Sequence, residues 1–279
     1  MSEIVYLNGE YLLRDEAVIS PDDRGFIFAD GVYEVIKYYA GKPFGIEEHF
    51  ERLERSLGEI RLDYEGVAAL SPVFGRLLEE NHLTGTDAGI YVQITRGVSR
   101  RQHAFPKEIE PSVYAFAFPA PSFAENIEHG IKVITHEDIR WLRCDIKSVA
   151  LLPNTMLYNQ AFENGAGECI LIRNGKVTEA THSSVFAVKE GKVITHPLSN
   201  MILPGITRKV VLEICRANKI PVEERAISET GLFELDELII TGTISEITPV
   251  VQIDDVPVRN GIPGEITRFI QRKFFEMVR

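Results

Sequence analysis

The stretch Val32 to Lys37 reads as a strand, in which Val32, Glu34 and Ile36 alternate with Tyr33, Val35 and Lys37 and so fall on opposite faces. The same alternation sets Ile90, Val92 and Ile94 on one face of GIYVQITRG, and SVYAFAF and IKVITH read as further strands. The longer stretch SPDDRGFIFADGVYEVIKYYAGKPF is expected to be β-rich, punctuated by Gly25 and Gly31. Elsewhere the period changes. Phe50, Leu53, Leu57 and Ile60 recur at helical spacing and predict an amphipathic helix from 47 to about 60 that carries Arg52. Leu70, Val73, Phe74 and Leu77 predict a second helix. Asn8-Gly9 and Asn174-Gly175, each between apolar runs, predict tight hairpins, and SVFAVKEGKVITHP a third. Helices are expected over 154–164 after Pro153, through LPGITRKVVLEICRANK with Val210, Val211, Ile214 and Cys215 inward, and from about Glu265; ELIITGTISEITPVVQID returns to strands. Strands interleaved with fewer helices and several hairpins make a mixed α+β fold rich in antiparallel sheet. FPAPSFAE, with two prolines among small residues, reads as a linker, dividing the chain into 1–118, a connection at 119–125, and 126–279.

Composition narrows the classes. A chain of 279 residues, 44% hydrophobic and 25% charged, is long enough for two globular domains. With 30 basic against 41 acidic residues the net charge is −11, which argues against nucleic acid as the main partner. No apolar run approaches a membrane span, and the opening MSEIVYLNGEYLL lacks a basic region followed by an apolar core. Three cysteines, Cys144, Cys169 and Cys215, without a CxxC spacing, suit a reducing compartment and offer no metal framework. A cytoplasmic protein is expected.

Four groups carry candidate chemistry. Lys147, in WLRCDIKS just before an apolar run, is expected to be partly buried; burial disfavours the ammonium and makes the amine a better nucleophile toward a carbonyl. The alternative is a lysine with a buried stem paired with Asp145. In LPGITR, Gly205 and Thr207 open a helix after a strand, and the unpaired N–H groups of a helix start suit a phosphate; otherwise Thr207 is only a cap. The turn Thr241-Gly242-Thr243 adds N–H and hydroxyl donors, and with Arg52 these would form a phosphate cup. Glu179, in the hairpin strand KVTEA, could hold a protonated ring nitrogen, or could be an edge-strand carboxylate facing water. Arg100, Arg101 and His103 make either a carboxylate trap or a solvated basic loop.

A lysine nucleophile, a phosphate cup, a ring-nitrogen carboxylate and a carboxylate trap are the parts a pyridoxal phosphate enzyme needs. The run of DRGFIFADGVYEVIKYY, EEHFERL, QITRGVSRRQHAFP, EDIRWLRCDIKS, KVTEATHSSVF, NMILPGITR and TGTISEITPV resembles the fold-type IV pyridoxal phosphate aminotransferases along nearly the whole chain, and most of all the D-amino-acid aminotransferases. The resemblance implies a small N-terminal α/β domain and a larger C-terminal pseudo-barrel. It implies that Lys147 carries the cofactor as a Schiff base and then moves the proton at the substrate's α-carbon, and that Glu179 partners the pyridine nitrogen. Arg52, Ile206, Thr207 and Thr243 match the phosphate site, Ile206 and Thr207 partly through backbone N–H groups. Ser183 joins the cofactor-binding set, and Leu203 matches a residue packed on the ring. Tyr33, Arg101 and His103 match the substrate-carboxylate trap, whose arginine and histidine come from the neighbouring subunit of a homodimer.

The chain departs from that pattern in four places. His182 and Ser184 stand where a serine and an asparagine are usual, Gly242 where a serine is, and Arg100 replaces a proline beside the trap. The activity implied is transfer of an amino group from a D-amino acid, D-alanine first, to a 2-oxo acid such as 2-oxoglutarate, giving D-glutamate and pyruvate. A branched-chain L-aminotransferase is the alternative within the fold, and the Arg101 and His103 pair discriminates against it. A non-catalytic binding protein that kept the fold is the distant third reading, which Lys147 and Glu179 together oppose.

Overall fold

The structure is a computed structural model that describes residues 3–279. It divides into two compact units, one running to Ala120 and also holding Ile146–Ala150, the other made of Pro121–Asp145 and Leu151–Arg279. Ile146–Ala150, with Lys147, therefore counts with the first unit, although it lies in sequence within 126–279.

The first unit contains β1 (Ile4–Leu7), β2 (Glu10–Leu13), α1 (Arg24–Phe28), β3 (Gly31–Tyr39), β4 (Lys42–Pro43), α2 (Ile46–Glu59), α3 (Leu70–Glu80), β5 (Ala88–Thr95) and β6 (Ser112–Pro119). Its six strands form one antiparallel sheet in the order β2-β1-β6-β5-β3-β4. The β1–β2 turn is tight because Asn8 and Gly9 both take positive φ, +50° and +98°. The alternation expected for β3 and β5 is present: Val32, Ile36, Ile90, Val92 and Ile94 are fully buried beneath α2 and α3. One expectation fails. Residues 24–28, read as β-rich, are helical, because the Asp23 side chain accepts from the Gly25 N–H at 2.7 Å and caps a short helix that Ala29 closes at φ 55°.

The second unit contains α4 (Ala124–His129), β7 (Ile131–Glu137), α5 (Leu152–Glu163), β8 (Glu168–Arg173), β9 (Lys176–Ala180), β10 (Ser184–Lys189), β11 (Lys192–Thr195), α6 (Ile206–Ala217), β12 (Val222–Glu224), β13 (Glu237–Gly242), β14 (Glu246–Ile253), β15 (Val256–Pro257) and α7 (Glu265–Val278). The strands run β12-β11-β10-β13-β14-β7-β8-β9, with β15 beside β14. The segment just past β12 meets β9 at the other end of this order: Val177 N donates to Ile227 O and Glu229 N to Gly175 O, both at 2.9 Å, around a bridge between Lys176 and Ser228. The sheet is thus curled nearly shut, which leaves few free edges and encloses Val133, Ile170, Val185, Ala187, Ile240 and Val250. α6 and α7 pack on each other and on β13. No helix among the described residues is long and apolar enough to cross a membrane.

Candidate active site

Lys147 is half-buried, and its backbone is held on both sides. Tyr33 N donates to Lys147 O at 3.0 Å, Lys147 N donates to Ser56 Oγ at 3.3 Å, and Val149 N donates to Gly31 O at 3.1 Å. Its Nζ lies 4.2 Å from the centroid of the Tyr33 ring, which stacks on Tyr91 at 5.6 Å. Asp145, the alternative partner for Lys147, instead accepts from Arg143 Nε and Nη2 at 3.0 and 3.1 Å.

Behind β3, the α2 residues His49, Arg52 and Ser56 form a buried polar stripe. Glu34, fully buried, accepts from Arg52 Nε and Nη2 at 2.7 and 2.8 Å and sits 2.7 Å from His49 Nδ1. Burial alone would raise the Glu34 carboxyl, but Arg52 and His49 hold it well below the usual carboxylate range. Burial lowers the His49 pKa in turn, consistent with a neutral ring whose Nδ1–H donates to Glu34; its Nε2 is buried without a hydrogen-bond partner. Arg52, expected at the phosphate, therefore stands with two of its nitrogens on Glu34. The sequence signal for this network was a glutamate at a core-facing position between Val32 and Ile36.

The loop after β5 carries the basic group. It starts at Gly97, whose φ of +98° and closeness to Glu110 O, 1.9 Å from where a Cβ would stand, leave no room for a side chain. Arg100, Arg101 and His103 are all exposed, but Arg101 and His103 share a surface: the Arg101 guanidinium carbon lies 5.3 Å and the His103 ring 5.5 Å from the Phe28 ring. Arg101 rather than Arg100 is thus the arginine grouped with His103.

In the second unit Glu179 is buried rather than at a wetted edge. Its Oε1 accepts from Arg140 Nη1 and its Oε2 from Leu203 N at 3.0 Å. Arg140 is also bound to Asp138 through Nε and Nη2, both at 2.9 Å, and Thr178 Oγ1 donates to Asp138 Oδ2. Burial pushes the Glu179 carboxyl upward, Arg140 and the Leu203 N–H act against this, and the net direction is up. Such a carboxyl gains from a second cationic neighbour.

Within the second unit, the start of α6 and the turn after β13 both lie against residues 182–184. α6 begins at Ile206 after Gly205, with no side-chain cap on its first N–H groups. A Cβ on Gly205 would lie 2.8 Å from Ser184 Oγ, and Ser184 pairs with Thr241 across β10 and β13. A Cβ on Gly242 would stand 3.6 Å from Ser183 Oγ and 2.7 Å from Ser245 Oγ, so the turn holding half-buried Thr243 packs beside Ser183, next to Ser184 in the chain. Thr207 Oγ1 and Thr241 Oγ1 are both buried and without partners. Two orphan hydroxyls beside an uncapped helix start fit a phosphate group. Thr241 was valued less than Thr243 at the sequence level, where burial of its hydroxyl is not legible. His182 is braced by Glu168, a buried carboxylate 3.2 Å from Nδ1.

Residues 31–253 match the family described as Amino-transferase class IV. The D-alanine aminotransferase of Staphylococcus haemolyticus is 45% identical over 97% of this chain and 96% of that protein. Among solved structures, the branched-chain amino acid aminotransferase of Escherichia coli superposes with a TM-score of 0.92 at 27% identity, covering 100% of this chain and 95% of that one. The PLP form of the branched-chain aminotransferase of Thermobaculum terrenum superposes with a TM-score of 0.87 at 27% identity, covering 99% and 94%. Those matches, spanning both units and the residues just described, establish that the chain belongs to the class IV amino-transferases.

Proposed function

We propose that this aminotransferase uses pyridoxal 5′-phosphate to move an amino group from a D-amino acid, D-alanine first, to a 2-oxo acid such as 2-oxoglutarate. The observation that carries the D-amino-acid reading is the Arg101 and His103 pair on Phe28, in a chain 45% identical to a D-alanine aminotransferase. A guanidinium and an imidazole on one ring suit a carboxylate, because guanidinium binds it bidentately.

When bound, the cofactor supplies the electron sink for the reaction. The residues supply the rest. Lys147 Nζ, with the ring of Tyr33 beside it, is the nucleophilic amine and afterwards takes the proton from the substrate's α-carbon. Glu179, with Arg140 on its Oε1, hydrogen-bonds the protonated pyridine nitrogen. Leu203, whose N–H is tied to Glu179, packs on the ring, with Ser183 among the cofactor contacts. Ile206 and Thr207 at the start of α6, with Thr241 and Thr243, bind the phosphate, and Arg52 adds charge in an orientation set by Glu34. Tyr33 of one chain, with Arg101 and His103 contributed by its neighbour in the homodimer, holds the substrate carboxylate. The active form is a homodimer, a reading the family resemblance supports, and cytoplasmic, in keeping with three free, buried cysteines.

Visible absorption of the protein reconstituted with pyridoxal phosphate tests this. Loss of the visible band on adding D-alanine, with no change on L-leucine, is the expected result. Loss with L-leucine alone would move the enzyme to the branched-chain group, and no visible band after reconstitution would overturn the cofactor assignment.

A further inference from the structure

Arg24 lies in α1, far in sequence from the Arg101 and His103 loop, yet it touches that loop at two points. Its backbone N–H donates to Gly97 O at 2.9 Å where the loop begins. Its Nη1 donates to Gln102 O at 2.7 Å in the middle. The side chain is buried and aimed by Asp30, whose Oδ2 accepts from Arg24 Nε at 2.8 Å and from Arg96 Nε at 2.8 Å. Arg96 is itself fixed to the carbonyls of Ile60 and Arg61. Farther along the loop, the Phe105 ring sits among three guanidiniums, with Arg96 at 3.7 Å, Arg61 at 5.2 Å and Arg24 at 5.9 Å.

We propose that Arg24, together with Phe28 and Phe105, is a positioning element for substrate-carboxylate recognition, holding an exposed loop so that Arg101 and His103 present their donors together. This rests on the D-amino-acid reading above. Gln102 lies between the two recognition residues, and pinning its carbonyl fixes the peptide plane that joins it to His103. Phe28 then gives both side chains one apolar surface, while Arg24 occupies the same ring with its guanidinium carbon 4.8 Å from the centroid. Loop residues without such ties would sample many conformations, and each would have to be lost on binding. The arrangement also accounts for Arg100, which follows the anchored start of the loop but has no place on Phe28.

The test combines kinetics with hydrogen exchange of the reconstituted enzyme. In Arg24→Ala, amide exchange across residues 98–106 should quicken, and KM for D-alanine should rise about tenfold with kcat within about twofold, since misplacing binding groups weakens capture more than chemistry. Arg24→Lys, which keeps one donor, should recover part of the KM. Phe28→Leu, which leaves Asp30 and Gln102 paired with Arg24, should raise KM without quickening exchange of the loop base; it serves if Arg24→Ala does not fold. Unchanged loop exchange and KM in both Arg24→Ala and Phe28→Leu would overturn the proposal, as would equal losses of kcat and kcat/KM with no recovery in Arg24→Lys. If the wild type fails to process D-amino acids while Arg24→Ala still frees the loop, the anchoring stands and the substrate reading falls.

Discussion

Arg140 and Glu179 form a buried ion pair that also has a second anion to satisfy: the guanidinium that donates to Glu179 Oε1 through Nη1 holds Asp138 through Nε and Nη2. Arg140 thus serves two buried carboxylates; Asp138 keeps Arg173 Nη2 at 3.0 Å from Oδ1, so Glu179 is the one that loses its ion-pair partner when Arg140 is removed, which is costlier than removing Glu179 itself. Arg140→Met should destabilise the protein by about 3–5 kcal/mol, as expected when buried charges lose their partner. Glu179→Gln, which leaves Asp138 paired and can still accept from the Leu203 N–H, should cost less in stability while lowering kcat. Urea unfolding of the two variants beside their kinetics would show the inversion: greater loss of stability in one, loss of turnover out of proportion to stability in the other.

Much of this was legible in the sequence because it is periodic or local. The alternation through β3 put Tyr33 and Glu34 on opposite faces, and the spacing of Leu53 and Leu57 oriented α2 so that Arg52 had to lie near the buried side. Turn chemistry marked the hairpins at Asn8-Gly9 and Asn174-Gly175. What remained hidden depends on partners distant in sequence. Arg140 lies 39 residues from Glu179, and Arg24 lies 78 from Gln102. No period links such pairs, and a lone arginine reads as solvated until its carboxylate is known. The curling of the second sheet rests on Val177 meeting Ile227, again without a local signal. The Asp23 cap was local and readable, but Phe26, Ile27 and Phe28 looked like strand residues and outweighed it, although Phe26 is 79% exposed.

Acid should unfold the first unit in two stages set by neighbouring groups. The His49 pKa is lowered by burial, so its contribution is complete above the ordinary value of 6.5 and falls away as pH drops below it. The Glu34 carboxyl is held far below its ordinary 4.5 by Arg52 and His49, so its contribution is present above 4.5 and is lost as pH falls further. Thermal melts from pH 8 to pH 3 should show both declines. Glu34→Gln should lower stability at pH 7 by about 3–5 kcal/mol by removing the carboxylate that pairs with Arg52, with a difference from wild type that shrinks below pH 4. A difference that stayed constant to pH 3 would contradict the assignment of the acid limb to Glu34.

The three thiols should be silent toward an aromatic disulfide reagent at pH 8 in the native state. Cys144, Cys169 and Cys215 are buried, and burial pushes their pKa values up to about 11, 12 and 11 from 9.0, so little thiolate is present or reachable. Full reaction should appear only in denaturant; fast native labelling of any one of them would show that its surroundings open.

Thr207→Val and Thr241→Val separate a residue's worth to the empty protein from its worth to the loaded one. Each hydroxyl is buried without a hydrogen-bond partner, and an unsatisfied buried hydroxyl costs about 1–3 kcal/mol. Valine has nearly the same shape without that group, so each variant, stripped of cofactor, should unfold at the same or higher urea concentration than wild type. Hydrogen bonds to a charged phosphate are worth about 1.5–3 kcal/mol each, so the same variants should bind pyridoxal phosphate roughly ten- to a hundredfold more weakly. Opposite signs in the two measurements are what a preformed phosphate cup requires. If valine weakened the empty protein and left cofactor affinity unchanged, the hydroxyls would be serving the fold, and the phosphate would have to be held by the backbone of α6 and by Arg52 instead.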